Sequence, residues 1–196
     1  AVANMNKKLL LVQRTGWGKS IVYFLSTKIL RNSGKGITLI ISPLLALMRN
    51  QLEAARPNGI SAETINSSNT QEWKDVINKI GSDKVDALLI SPERLANEDF
   101  VEDVIIPLSN KIGLFVVDEA HCISEWGHDF RPEYRKLILI KEKLKDVCCI
   151  ALTATATPRV QDDIMSSLKF VKGNKFIASF NRENLLIRVE KKYDPF

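Results

Sequence analysis

Short apolar runs recur along the chain, and between them the apolar residues return every three or four positions. Most of the runs are too continuous for a half-exposed strand, so they predict strands covered on both faces. They fall at Leu9–Gln13, Ile37–Ile41, Ala62–Ile65, Ala87–Ser91, Leu114–Asp118, Cys149–Thr153 and Lys175–Ala178. The intervening period predicts helices over Ser20–Asn32, Leu44–Ala55, Gln71–Ile80, Asp99–Ile106, Glu133–Leu144 and Arg159–Leu168. Gly34 and Gly36 stand where a C-cap glycine belongs, Pro57-Asn58-Gly59 closes the second helix, and Thr157-Pro158 opens the last. Strands alternating with helices imply βαβ units. The expected fold class is α/β, a mostly parallel sheet with helices on both faces.

Composition sharpens this only a little. The 196 residues suit one domain, 1–196, and 45% hydrophobic with 26% charged is ordinary for a soluble protein. No apolar run approaches a membrane span and the opening residues do not read as a signal peptide, so no membrane partner is expected. Cys122, Cys148 and Cys149 lack paired metal-ligand spacing and fit reduced, buried thiols in a cytoplasmic protein. Charge is more informative. Positions 1–52 carry Lys7, Lys8, Arg14, Lys19, Lys28, Arg31, Lys35 and Arg49 and no acid, within a net charge of +5. A one-signed segment suits a polyanion, although a solvated basic face has the same composition.

The strand ending at Asp118-Glu119 delivers two adjacent acids to its C-terminal edge. Beside a phosphate loop, such acids can hold Mg²⁺ and position or deprotonate a water. A loop of that kind lies at Thr15-Gly16-Trp17-Gly18-Lys19-Ser20, between the first strand and the first helix. Its glycines let backbone N–H groups curl around a phosphate, Lys19 would reach the β- and γ-phosphates, and the Ser20 hydroxyl would ligate Mg²⁺. Gln13 stands where the general pattern has its first glycine, and Arg14 and Trp17 are bulky for such a loop.

Other strand ends carry exposed hydroxyls and cations at positions where α/β sheets bind ligands. Ser42, Pro43 and Arg49 follow the second strand, and Pro92 and Arg94 follow the fourth; both groups could contact a single-stranded backbone. After the acids comes an aperiodic segment with Trp126, His128, Phe130 and Arg131. Interleaved with Gly127, Asp129 and Pro132, it predicts a surface loop rather than core, and flat aromatics beside a guanidinium form a stacking platform for bases. Trp73, Tyr23 and Phe24 lie on predicted helices and read as packing residues.

Thr15–Ser20, Ser42–Gln51, Ser91–Leu95, Asp118–Tyr134 and Ala151–Ala156 resemble, in order and spacing, the motifs of RecQ-like DNA helicases, DEAH-box members of superfamily two. Ser179–Leu185 resembles that family's exit from its first RecA-like lobe, so the resemblance spans 9–193. It implies a RecA-like P-loop NTPase domain with ATP and Mg²⁺ as cofactors. Lys19 and Ser20 would bind phosphate and metal, Asp118 would hold Mg²⁺, and Glu119 would orient the attacking water. His121, Thr153 and Thr155 would couple nucleotide state to movement, and Trp126, His128, Phe130 and Arg131 would sense single-stranded or partly duplex DNA. An upstream adenine-reading segment and a second RecA-like lobe are implied and lie outside this sequence, so the chain is expected to be one excised lobe, inactive alone as a helicase. A non-catalytic DNA- or protein-binding module and a duplex translocase that does not unwind are the alternatives.

Overall fold

A computed structural model describes residues 8–66, 70–144, 147–170, 174–178 and 188. The segment Ser179–Leu185 lies outside the described residues. Seven strands form one sheet: β1 Lys8–Val12, β2 Ile37–Ile41, β3 Ala62–Ile65, β4 Ala87–Ile90, β5 Ile112–Val117, β6 Cys148–Thr153 and β7 Lys175–Ile177. Their order is β3-β4-β2-β5-β6-β1-β7 and every pairing is parallel. All seven runs read from the sequence are therefore strands, two with the expected ends and the rest with ends shifted by one or two residues.

Alternate residues of the central strands enter two separate cores, as the pleat requires. Leu11, Ile40, Leu114, Val116, Ile150 and Leu152 face α1 (Lys19–Asn32) and α2 (Leu45–Ala55) through Tyr23, Phe24, Leu30 and Met48. Val12, Leu39, Ile41, Phe115, Val117 and Ala151 face the opposite layer. That layer is built from α3 (Trp73–Gly81), α4 (Leu137–Lys143) and α5 (Pro158–Ser167). Trp73 packs edge-on against Phe100, and Tyr23 and Phe24 are buried, as their helical spacing predicts. No helix among the described residues is long and apolar enough to cross a membrane.

Three departures from the expected elements have local causes. The helix expected at Asp99–Ile106 contains a π turn over Val101–Ile105, immediately before Pro107, which has no N–H to continue the regular ladder. The helix expected from Glu133 begins as a 3₁₀ turn, Pro132–Lys136. Residues Ala120–Ile123, directly after the acids, form a buried 3₁₀ turn that no periodicity announces. Thr157 caps α5 as expected, its hydroxyl accepting from the Val160 N–H.

The basic segment is not one patch. Lys28 donates to the Gly59 carbonyl, and Arg31 pairs with Asp83 and Asp86 at the sheet's N-terminal edge. Those two cations brace the fold, while Lys19 stands at the opposite edge.

Candidate functional site

Because the strands are parallel and adjacent, β1, β2, β4, β5 and β6 deliver their exit loops to one edge. The loop after β1 turns through Gly16 and Gly18, at φ 82° and 89°. Gly18 caps α1 in the left-handed region, which a side chain would resist. Lys19 leans back across this loop, its amine 3.4 Å from the Gln13 carbonyl. Thr15 and Trp17 are exposed, and Ser20 is half-buried beside the Tyr23 hydroxyl. Trp17 lines an apolar cleft of about 450 Å³ with Ile21, Leu25 and Phe176 on the outer face of α1.

The β5 exit places both acids against that loop. Asp118 is buried, and both its oxygens are engaged: Oδ2 accepts from Gln51 Nε2 at 2.6 Å and Oδ1 from the Glu119 N–H at 3.0 Å. Burial, then the neighbouring Glu119 charge, pushes its carboxyl up to about 6, against the pull of Lys19 and Gln51. Glu119 sits at φ 47° and ψ 47°, a conformation that costs a non-glycine residue on the order of 1 kcal/mol or more. The following turn holds it there through Cys122 N–H to the Glu119 carbonyl, 2.9 Å. Burial works against its charge, but His121, Lys19 and His128 outweigh this and hold its carboxyl below the usual range.

His121 joins the acids to β6. Its Nδ1 lies 2.9 Å from Thr153 Oγ1 and 3.2 Å from Glu119 Oε2. The Thr153 hydroxyl also accepts from the Thr155 N–H at 3.2 Å. On its other side the His121 ring stacks on His128, with centroids 4.2 Å apart, and the Thr155 hydroxyl reaches His128 Nδ1 at 3.3 Å. Thus one continuous set of contacts runs from Glu119 to the loop after the acids.

That loop is an irregular surface segment, as its composition predicts. Trp126 is 57% exposed and Phe130 is half-buried. The guanidiniums over the aromatics are not Arg131: Arg159, from α5, lies 3.2 Å from the Trp126 ring centroid, and Arg135 lies 5.3 Å from that of Phe130. Arg131 instead pairs with Asp129, donates to the Pro43 carbonyl at 3.0 Å and approaches Glu93 at 3.5 Å. It ties the loop to the exits of β2 and β4. Ser124 anchors the loop's start, donating to Asp163 of α5 at 2.7 Å and accepting from the Trp126 N–H. Gly127 passes so close to the His121 carbonyl that a Cβ would collide with backbone.

The remaining strand-end residues divide by exposure. Ser42, Pro43 and Pro92 are buried, so a strand of nucleic acid would meet backbone there rather than these side chains. Arg49 is exposed, and Arg94 lies over Trp73 at 4.7 Å.

Several contributors escape a reading of motifs alone. Gln51 shares the buried stripe of α2 with Met48 and Ala55, and a polar side chain on an apolar stripe is the available signal. Tyr134 donates its hydroxyl to the Asp118 carbonyl at 3.0 Å, a contact across sixteen residues that no local pattern announces. Arg159, Ser124 and Asp163 carry no sequence signal for their roles.

The oxygen donors of Ser20 and Asp118 suit a hard divalent cation such as Mg²⁺. Buried polar atoms of Tyr23, Ser42 and Gln51 without hydrogen-bond partners lie on the same edge.

Residues 1–164 match the family described as DEAD/DEAH box helicase. The ATP-dependent DNA helicase RecQ of Haemophilus influenzae is 41% identical over 187 residues, covering 95% of this chain and 29% of the relative. RecQ of Bacillus subtilis is also 41% identical, over 182 residues, covering 92% and 30% respectively. The chain thus spans about three-tenths of the length of these curated relatives. Among solved structures, the Hef helicase domain of Pyrococcus furiosus superposes with a TM-score of 0.65 over 92% of this chain and 37% of that one, at 18% identity, which speaks for the fold alone. With its RecA-like sheet, its loop at Thr15–Ser20 and its Asp118-Glu119-Ala120-His121 turn, the chain belongs to the DEAD/DEAH box helicase family, as a RecQ-like first lobe.

Proposed function

We propose that this chain is the ATP-binding, DNA-contacting lobe of an ATP-dependent DNA helicase that couples hydrolysis to translocation or unwinding. The observation that carries the reading is the convergence of Lys19, Ser20, Asp118 and Glu119 on one sheet edge, joined by His121 to the loop bearing Trp126. The relatives are named as ATP-dependent DNA helicases, which supports DNA as the substrate.

In this reading the amides of Thr15–Ser20 cradle the phosphates and Lys19 neutralises charge on the β- and γ-groups. Ser20 and Asp118 hold Mg²⁺, which supplies Lewis-acid stabilisation of the phosphoryl oxygens when bound. Glu119, kept ionised by His121 and Lys19, orients a water in line with the γ-phosphate and accepts its proton. Trp126 and Phe130 stack on unpaired bases, and His128, His121, Thr153 and Thr155 pass that contact to Glu119. An arginine from a second lobe completes the charge neutralisation, worth about 10³–10⁵ in rate in P-loop enzymes, so the lone lobe neither turns over rapidly nor steps along DNA. The buried free thiols suit a reducing cytoplasm.

Titration calorimetry with ADP and Mg²⁺ tests the reading. Binding to the chain that Lys19→Ala abolishes without unfolding is expected. Equal affinities for both proteins would overturn it.

A further inference from the structure

Three buried side-chain polar atoms among the described residues have no hydrogen-bond partner: the Tyr23 hydroxyl, Ser42 Oγ and Gln51 Oε1. Folded proteins rarely keep such groups without a reason. Here they belong to α1, the β2 exit and α2, whose common neighbour is Asp118. Gln51 touches Asp118 directly, with its Nε2 2.6 Å from Oδ2. The Tyr23 hydroxyl lies within the reach of Ser20 and Gln51 and feels the Asp118 charge, although neither side chain meets it in full hydrogen-bond geometry.

The orientation of the Gln51 amide is dictated by its neighbour. Only its NH₂ can face an ionised carboxylate, so its oxygen points away from Asp118, where no neighbouring group completes a hydrogen bond to it. An amide oxygen accepts hydrogen bonds and cannot donate them. A water held by a cation has its lone pair committed to the cation and donates through its hydrogens. The two are complementary. The Tyr23 hydroxyl can also accept such a hydrogen bond while donating to Gln51 or Ser20. A packing role alone would explain the burial of these side chains but not the unpartnered oxygens beside a carboxylate.

We propose that Gln51 and Tyr23 are positioning residues for the divalent-cation site. Gln51 fixes Asp118 through Nε2, and its Oε1 and the Tyr23 hydroxyl receive a water ligand of the cation. This rests on the reading of Ser20 and Asp118 as cation ligands and extends it to the shell behind them. Partners behind metal ligands are commonly worth about 10–100-fold in metal affinity.

The test uses the 196-residue chain, with ADP in the presence of Mn²⁺ or of EDTA as the probe. Proton relaxation enhancement reports the Mn²⁺–ADP complex, and calorimetry reports ADP alone. Wild type is expected to bind Mn²⁺–ADP more tightly than ADP. Gln51→Leu, which keeps the side chain's bulk, should lose about 10–100-fold of that metal-dependent gain with metal-free ADP affinity unchanged. Tyr23→Phe should lose part of the gain and raise the melting temperature of the metal-free chain, since it deletes a buried, unpartnered hydroxyl. A wild type with no metal-dependent gain overturns the cation-site reading and this inference together. A wild-type gain retained by both variants overturns this inference alone. Gln51→Leu losing metal-free and metal-dependent affinity equally would mark Gln51 as packing, and would also overturn it.

Discussion

Replacing Thr153 by valine keeps the shape of a fully buried side chain and deletes one hydroxyl. That hydroxyl meets His121 Nδ1 at 2.9 Å, the Thr155 N–H at 3.2 Å and the Thr155 carbonyl at 3.3 Å. Valine would strand the Thr155 amide, whereas His121 keeps its contact with Glu119. A polar group left without its partner costs about 1–3 kcal/mol when buried, and the Thr155 amide belongs to an exposed residue, so a loss near the lower end, about 1 kcal/mol, is expected. Urea denaturation of the chain, followed by circular dichroism, reads this directly. With a slope of about 2 kcal/mol/M, the midpoint should fall by about 0.5 M. Thr155→Val is the control, because its hydroxyl is exposed and meets only the exposed His128, so its effect should stay within about 0.5 kcal/mol. If Thr153→Val costs no more than Thr155→Val, the hydroxyl is not the junction between β6 and the acids.

Two further outcomes follow from the same edge. Burial and Glu119 raise the Asp118 carboxyl from 3.8 to about 6, so the folded chain holds this proton more tightly than the unfolded chain. The resulting penalty is absent below about pH 4, grows between about pH 4 and 6, and is complete above; Asp118→Asn should therefore stabilise the metal-free chain by up to about 3 kcal/mol at pH 8, fading to nothing near pH 4, as urea titrations across pH would record. Gly127→Ala must displace the loop from the His121 carbonyl, so the stacked His121–His128 pair should separate, which NMR spectra would register as a shift of the ring signals of both histidines, and unchanged ring signals would contradict this.

Much of this architecture is legible in the sequence because a parallel sheet writes itself as continuous apolar runs. Ile37–Ile41 and Leu114–Val117 could hardly be anything else, and their ends fix where Ser42 and Asp118 must emerge. The glycine-bearing loop at Thr15–Ser20 and the paired acids are local features with a fixed spacing, so their positions at the sheet edge are legible too. What the sequence hides is non-local. Arg131 looks like the partner of its aromatic neighbours, but Asp129 and the Pro43 carbonyl compete for its guanidinium, and Arg159 reaches Trp126 from another helix. Gln51 reads as one polar residue on a helix until the fold sets it against Asp118, sixty-seven positions away. The turn at Ala120–Ile123 has no period, being held by Tyr134, Cys122 and a left-handed Glu119.

The central claim is that the loop bearing Trp126 reports bound DNA to Glu119 through His128 and His121. It is tested most directly by the ratio of ATP turnover with single-stranded DNA to turnover without it, measured in the protein that carries its second lobe. Wild type and Trp126→Ala are compared at saturating ATP. The account predicts a ratio well above one for wild type that collapses toward one in the variant, since removing a stacking side chain costs about 1–3 kcal/mol per base and withdraws the signal at its source. A variant ratio within twofold of wild type, at DNA concentrations that saturate both, would contradict it.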